Sequence, residues 1–304
     1  MPYRRFLYYD YSKTHVQGKS MKGPGLRAVS IDENKYPYKW RVLRWSTVVG
    51  INFFFFASYY FDIQILEGTL SASRFLGLHL ADPYASFQVM LASKIVKTNL
   101  IIGLLTIGFL YLLIGGRSFC AWVCPYGLLS EIAGFFHKFV RKHGLIKLGN
   151  QTYGRETKYY FFFVSLFLSL ITGYTGFEIF NPVGGLSRAI VFGPSVALFF
   201  IASMLGLEIL ISKRGWCRYL CPVAVPYIIL GKFSPVKIKW KPENCTNCKE
   251  CQKVCVVPFV LIDAVNKGIV EYVDSGECTR CGLCVDACND AALGFEIKYL
   301  DKLI

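Results

Sequence analysis

The chain has 304 residues, of which 54% are hydrophobic, 16% aromatic and only 18% charged. This balance excludes an ordinary soluble domain and favours a membrane protein. The 34 Lys and Arg residues outnumber the 20 Asp and Glu residues, but they flank apolar segments and form no separate basic domain. We therefore expect no nucleic-acid partner.

Four uncharged runs follow a basic N-terminal tail. Each run has 17 to 19 residues, close to the roughly 20 that a helix needs to cross the hydrocarbon core. None has a polar face, so they predict four transmembrane helices rather than buried helices of a soluble protein. The runs are 45–61, 98–116, 159–177 and 189–207.

The distribution of Lys and Arg predicts an orientation for these helices. With the N-terminus in the cytoplasm, 30 of the 34 basic residues lie on the cytoplasmic side and 4 on the outer side. Basic residues concentrate in cytoplasmic loops of membrane proteins. We therefore expect a multi-pass protein of the bacterial inner membrane, with both termini and every cysteine motif in the cytoplasm.

The segment between the first two runs is amphipathic in its second half. Residues 81–97 carry Phe87, Met90, Leu91 and Ile95 at helical spacing. They predict either a helix along the outer surface or an extended start of the second transmembrane helix.

The motif R-x-x-C-x-x-x-C-P occurs twice, after the second and the fourth run. Its members are Arg117, Cys120, Cys124 and Pro125, then Arg214, Cys217, Cys221 and Pro222. Cysteines four apart share one helix face, so the two pairs could present four thiols to one centre. Three alternatives are open for these cysteines. They hold one iron–sulfur cluster or one iron, they cycle through disulfides, or they pack beside helix-ending prolines.

The chain becomes polar and rich in cysteine beyond Pro235. Two C-x2-C-x2-C-x3-C runs follow, and this is the spacing of bacterial ferredoxins, in which the fourth cysteine of each run binds the other run's [4Fe–4S] cluster. Zinc sites have two separated C-x2-C pairs instead. We predict cluster A on Cys245, Cys248, Cys251 and Cys288, and cluster B on Cys278, Cys281, Cys284 and Cys255.

One feature departs from the ferredoxin pattern. Proline usually follows the fourth cysteine, but Val256 follows Cys255 and Asn289 follows Cys288. Because the thiolates are intact, we expect ligation to survive, while the reduction potential depends on local hydrogen bonding and solvation.

Two charged residues lie at the ends of the fourth run. Glu208, near its cytoplasmic end, either takes protons from a quinol or extends to the interface. Arg188, at its outer end, either anchors the interface or binds a quinone carbonyl or a partner. No residue is assigned a catalytic role.

These motifs define three domains and a fold class. We expect a basic cytoplasmic tail over 1–44, a four-helix transmembrane domain over 45–234, and an α+β two-cluster ferredoxin domain over 235–304. The fold class is a mainly α membrane protein with a bacterial-type ferredoxin at its C-terminal end.

The combination of four predicted helices, two R-x-x-C-x-x-x-C-P motifs and a two-cluster ferredoxin resembles the NapH-type ferredoxin subunit of periplasmic nitrate reductase systems. It also resembles the related membrane protein of nitrous oxide reductase clusters, and the resemblance covers about residues 40–295. It implies a subunit that oxidises menaquinol or ubiquinol from the membrane quinone pool. The electrons would pass through iron–sulfur clusters to an iron–sulfur or cytochrome partner of a respiratory reductase.

A second family carries similar motifs. Membrane polyferredoxins that assist cytochrome oxidase assembly also have C-x-x-x-C-P segments. That resemblance implies a metal reductase, acting on copper, in metalloenzyme assembly.

Overall fold

Helices make up most of the chain before residue 234. The computed structural model describes residues 39–62, 65–143, 154–266 and 271–298. A π-helical turn, Trp216–Leu220, joins the last two helices of this region. The helices are α1 Lys39–Tyr60, α2 Pro83–Ser93, α3 Thr98–Ile114, α4 Ser118–Trp122, α5 Pro125–Lys142, α6 Thr157–Thr172, α7 Gly176–Phe180, α8 Pro182–Phe192, α9 Ala197–Leu210 and α10 Ala224–Phe233.

The prediction of four transmembrane helices is wrong. Within the described ranges, no helix combines the length and the apolar character that crossing a membrane requires. The four predicted runs correspond to α1, α3, α6 and the α8–α9 pair.

The helices depart from the uncharged runs for local reasons. Gly115 (φ 128°) ends α3 after 17 residues, and Gly173 (φ 70°) ends α6 after 16. The run 189–207 is divided at Gly193 and Pro194, which leaves α9 with 14 residues. Only α1 reaches 22 residues, and it contains Lys39 and two arginines. A count of uncharged residues does not detect such breaks, because backbone geometry rather than hydropathy sets where a helix ends.

A three-stranded antiparallel sheet lies between α1 and α2 and was not predicted. Its strands are β1 Leu66–Thr69, β2 Ala72–Phe75 and β3 Leu78–Ala81, in the order β1-β2-β3. Leu66 pairs with Phe75, and Ala72 pairs with Ala81. Each strand has only four residues, so no period-two pattern was long enough to reveal it.

Helix α2 is a separate helix, so the prediction of an extended start of the next helix is wrong. The Asp82 side chain accepts a hydrogen bond from the Ala85 N–H at 3.0 Å and caps its first turn. Lys94, in the left-handed region with φ 53°, ends it. Buried Tyr84 donates to Ser165 of α6 at 2.8 Å, which fixes α2 against that helix.

The C-terminal region has a small mixed architecture. Strands β4 Val236–Trp240 and β5 Leu293–Ile297 pair antiparallel, with Trp240 opposite Leu293. Between them lie α11 Glu250–Val254 and α12 Leu283–Asp286. Short 3-10 and π-helical turns at Pro242–Asn244, Pro258–Leu261 and Ile262–Asn266 connect them.

Candidate metal centres

The first thiol group combines three cysteines of the first run with one of the second. Cys245, Cys248, Cys251 and Cys288 line a single pocket between Trp240 and α11. Asn247 and Lys249, both in the left-handed region, turn the backbone around this pocket. These are the four residues that the spacing predicts for cluster A.

The pKa of Cys251, the buried thiol of this group, also indicates that the four thiols lie close together. Burial raises the pKa of Cys251 to about 11. The neighbouring thiols Cys248, Cys288 and Cys245 add to the rise. Four thiolates this close repel one another unless a cation lies among them, so the donor set fits a positively charged metal core.

The second thiol group gathers around Cys255. Burial raises the pKa of Cys255, and the thiols of Cys281 and Cys278 of the second run add to the rise. Burial likewise raises the pKa of Cys284, and the neighbouring thiol of Cys255 adds to the rise. Thus the last cysteine of each run lies with the other run. This grouping agrees with the exchanged ligands of bacterial ferredoxins, although ligation itself stays a prediction.

The thiols form a large part of a small core. Cys251, Cys281 and Cys284 are buried with apolar side chains that include Ile238 and Leu261. Such a small domain buries little apolar surface, and metal binding commonly supplies the missing stability. The residues therefore fit two iron–sulfur clusters.

The valine that replaces the usual proline has a structural role here. Val256 is buried, and its carbonyl oxygen accepts a hydrogen bond from Arg218 Nε at 2.6 Å. A proline follows two residues later and begins the Pro258–Leu261 turn. The chain after Cys255 is therefore held by a contact with the helical region instead of by a proline ring.

The two C-x-x-x-C pairs lie together in the helical region. Cys124 and Cys221 are buried in one apolar cluster, and Cys120 and Cys217 pack against it. Burial raises the pKa of Cys221 to about 12, with Cys120 as the next cause. Burial also raises the pKa of Cys217, which lies near Glu208, Cys221 and Cys124.

Burial lowers the reactivity of these four thiols toward disulfides. A thiol whose pKa is raised is mostly protonated near neutral pH and attacks disulfides slowly. In the described ranges, no group of three or more His, Cys, Asp or Glu side chains is arranged to hold a single metal ion. What the paired cysteines bind stays a prediction.

A buried ion network connects the paired cysteines with the second thiol group. Arg117 is 1% exposed and donates to Glu277 Oε2 at 2.7 Å and to the Cys217 carbonyl at 3.0 Å. Buried Lys158 pairs with the other oxygen of Glu277. Glu277 directly precedes Cys278. The repeated motif marks Arg117 in the sequence, whereas no sequence pattern marks Lys158 or Glu277.

A second buried network surrounds Glu131 of α5. Arg214 Nη2 lies 3.1 Å from Glu131 Oε2, and Arg44 pairs with the same oxygen. Arg41 Nε lies 3.6 Å from Oε1. Burial alone would raise the pKa of this carboxyl, but Arg214, Arg44 and Arg41 together hold it below its usual value. The arginine of the second motif thus has a charged partner of its own.

The two other charged residues singled out in the sequence have partners inside the protein. Glu208 is 4% exposed and accepts a hydrogen bond from the Trp216 N–H at 3.0 Å. Arg188 pairs with Glu178 at 2.9 Å and also donates to its carbonyl at 2.7 Å. Glu208 therefore turns inward, toward the residue before Cys217.

The family comparisons match both cysteine-rich regions. The family described as "4Fe-4S dicluster domain" matches 244–293, which contains both ferredoxin runs. The family described as "4Fe-4S binding domain" matches 97–143 and 192–241, each with one C-x-x-x-C pair.

Curated relatives align with most of the chain. The methylamine utilization ferredoxin-type protein MauN of Methylorubrum extorquens is 32% identical, covering 83% of this chain and 86% of its own. The ferredoxin-type protein NapH of Escherichia coli is 30% identical, covering 86% and 91%. The NapH of Haemophilus influenzae is 29% identical, covering 86% and 89%. No solved structure matches the chain.

The identities, the coverage and the two cluster families agree with the thiol groups described above. The chain therefore belongs to the family of NapH-type and MauN-type ferredoxins, iron–sulfur proteins of electron transfer.

Proposed function

We propose that the chain is an electron-transfer subunit that oxidises menaquinol or ubiquinol and delivers the electrons to a redox partner of a respiratory reductase system. The resident cofactors of this proposal are two [4Fe–4S] clusters. The observation that carries the two clusters is the exchanged grouping, in which Cys255 lies with the second run and Cys288 with the first. The NapH relatives support the respiratory context.

The chain's own residues would hold and enclose the two clusters. When bound, such clusters supply reversible one-electron chemistry. Arg280, inside the second run, donates to the Val236 carbonyl at 2.6 Å and to the Gly231 carbonyl at 2.8 Å. These bonds fix the second run against β4 and α10. Arg117 places a buried positive charge beside the same run, which offsets the negative charge of thiolate ligands.

A third iron–sulfur centre at the paired cysteines is part of the proposal. The "4Fe-4S binding domain" family matches both segments that contain the pairs, and Cys120, Cys124, Cys217 and Cys221 lie in one cluster. Substituting Cys124→Ser should lower the iron content without changing the spectra of the two ferredoxin clusters. Unchanged iron in Cys124→Ser would show that the pairs hold no metal.

Association with the bacterial inner membrane is also a proposal. Its support is the apolar surface that the helices expose, including Phe53 at 63%, Phe163 at 67% and Phe199 at 81%. Large exposed apolar surfaces mark contacts with membranes or other proteins. Fractionation of cells with the full chain tests this, and recovery in the soluble fraction without detergent would contradict it.

A quinol titration tests the proposed activity. Anaerobic protein with oxidised clusters is mixed with a soluble quinol analogue, and cluster reduction is followed by EPR and visible absorbance. We expect reduction that depends on quinol concentration, with the protein lacking clusters as the control. Clusters that accept electrons from dithionite but never from quinol would contradict the quinol step. Oxidation of the reduced clusters by Cu(II) at a comparable rate would instead support the metal-reductase alternative.

A further inference from the structure

We propose that the protein exchanges electrons with a partner at the face around Cys248, and that the partner's contact surface is nearly neutral. This inference rests on the proposed function, because it requires the first thiol group to hold a cluster. In each event one electron crosses the contact. The donor is thereby oxidised by one electron, and the acceptor is reduced by one electron. No proton or chemical group moves with it.

The first argument is exposure. All twelve cysteines lie in described parts of the chain, and Cys248 alone among them is exposed. Its neighbours Asn247 and Lys249 are exposed as well, and so are Asn289 and Asp290 on the facing loop. A partner can therefore approach a ligand of the first thiol group without moving any covering side chain.

The second argument is that the second thiol group faces the helical region. Three side chains from the C-x-x-x-C segments donate to carbonyls that adjoin three of its cysteines. Arg117 donates to Glu277 at 3.2 Å, Trp122 Nε1 to Arg280 at 3.1 Å and Arg218 to Val256 at 2.6 Å. These contacts cover the second group on the side of the helical region, and none of its four cysteines is exposed, so only the first group has a ligand at the surface.

The third argument is charge. The charged side chains that line the pocket of the first thiol group are one cation and one anion, Lys249 and Asp290, and Thr246 donates to Asp290 at 2.7 Å. Opposite charges in equal number give little net attraction for a charged protein. We therefore assign this face a partner with a nearly neutral contact surface.

A competing face has the opposite character. A pocket beside Cys255 has five cationic side chains and one carboxylate, and it would favour an acidic partner. Its charged residues are Arg41, Lys213, Arg214, Arg218, Lys253 and Glu131. The rate of electron exchange should therefore depend on the partner's charge differently at the two faces.

A spectroscopic experiment compares the exposure of the two clusters directly. The reduced holoprotein is titrated with a soluble Dy(III) complex, and broadening of each EPR signal is recorded. The substitution Lys249→Gln removes a positive charge beside the first thiol group. The EPR signal whose reduction potential changes in this variant therefore belongs to cluster A. We expect cluster A to broaden at lower Dy(III) than cluster B. Equal broadening, or stronger broadening of cluster B, would overturn the proposal.

A kinetic experiment locates the exchange. The reduced holoprotein is oxidised by anionic tris(oxalato)cobaltate(III) or by cationic hexaamminecobalt(III), each of which accepts one electron. At low salt, Lys249→Glu should lower the rate of oxidation by the anionic complex and raise the rate of oxidation by the cationic complex, each by roughly threefold or more. The matched control Lys253→Glu changes the same charge at the competing pocket and should alter either rate much less.

The outcomes separate this inference from the proposed function. If Lys253→Glu has the larger effect, exchange takes place beside Cys255 and the assigned face is wrong. If the purified protein carries no iron–sulfur EPR signal under reduction, the proposed function itself fails. Failure to react with quinol, with the cobalt rates as expected, would leave the Cys248 face supported and contradict only the quinol step.

Discussion

Arg117 and Glu277, which are 160 residues apart in sequence, form a buried ion pair with Nη1 and Oε2 separated by 2.7 Å. The pair joins the first C-x-x-x-C motif to the residue before Cys278. Lys158 adds a second cation to the same carboxylate. The helical region and the ferredoxin runs are therefore linked by charge directly beside Cys278.

Removing the carboxylate should destabilise the protein strongly. Glu277→Gln leaves Arg117 and Lys158, 1% and 0% exposed, without their common anion. Losing one partner of a buried ion pair costs about 3–5 kcal/mol. We expect a loss of this size in the free energy of unfolding, measured by denaturant titration of the holoprotein.

An exposed pair supplies the control. Lys253 is 57% exposed and pairs with Glu250 at 2.5 Å. Exposed pairs contribute less than about 1 kcal/mol, so Lys253→Gln should change stability little. Equal effects of Glu277→Gln and Lys253→Gln would show that the buried network does not stabilise the fold.

The exchanged ligands predict which cysteine variants behave alike. Cys288→Ser should alter the same EPR signal as Cys245→Ser, because both thiols line the first pocket. Cys255→Ser should instead alter the signal that Cys278→Ser alters. The measurement is a redox titration of each variant followed by EPR. If Cys255→Ser matched Cys245→Ser, each run would bind its own cluster and the exchange would be wrong.

Iron removal should unfold the C-terminal region first. Its buried core includes Cys251, Cys281 and Cys284, and metal binding contributes directly to the folding of such small domains. Hydrogen exchange should then show faster exchange in β4 and β5 than in α3 or α9. Unchanged protection of the β4–β5 pair after complete iron loss would contradict this role of the metal.

The buried carboxyl of Asp82 predicts a pH dependence of stability. Burial raises its pKa from the ordinary value of 3.8 to about 7. Because the folded state then binds the proton more tightly than the unfolded chain, this contribution is complete below about pH 4 and is lost as the pH rises toward 7. We expect the free energy of unfolding to fall over this interval and to level off above it.

Asp82→Asn tests this assignment. Asparagine keeps an oxygen that can accept from the Ala85 N–H, so the cap of α2 is retained. The variant should show a flatter pH profile than the parent protein between pH 4 and 7. Parallel profiles would mean that Asp82 is not the titrating group.

Ligand spacing is local, so the sequence alone indicated which ferredoxin cysteines lie together, while ligation itself stays a prediction. The C-x2-C-x2-C-x3-C runs alone indicated that Cys255 would lie with the second run, and the structure places it there. The two C-x-x-x-C pairs lie in one apolar cluster, as the repetition of their motif suggested. What the pairs hold depends on chemistry that spacing does not specify.

Helix lengths and buried charges were not predictable in the same way. The uncharged runs did not indicate that helices end at Gly115 and Gly173, where the backbone has a positive φ. Partners such as Lys158 and Glu277 are 119 residues apart, and nothing local in the sequence marks one as the partner of the other. These features arise from tertiary packing.

The central claim is that the thiol groups hold two iron–sulfur cubes. Quantifying iron, inorganic sulfide and zinc in anaerobically purified full-length protein tests it most directly. The account predicts about eight iron and eight sulfide ions per chain from the two ferredoxin clusters, with more if the paired cysteines hold a third centre. About two zinc ions and no inorganic sulfide per chain would contradict it.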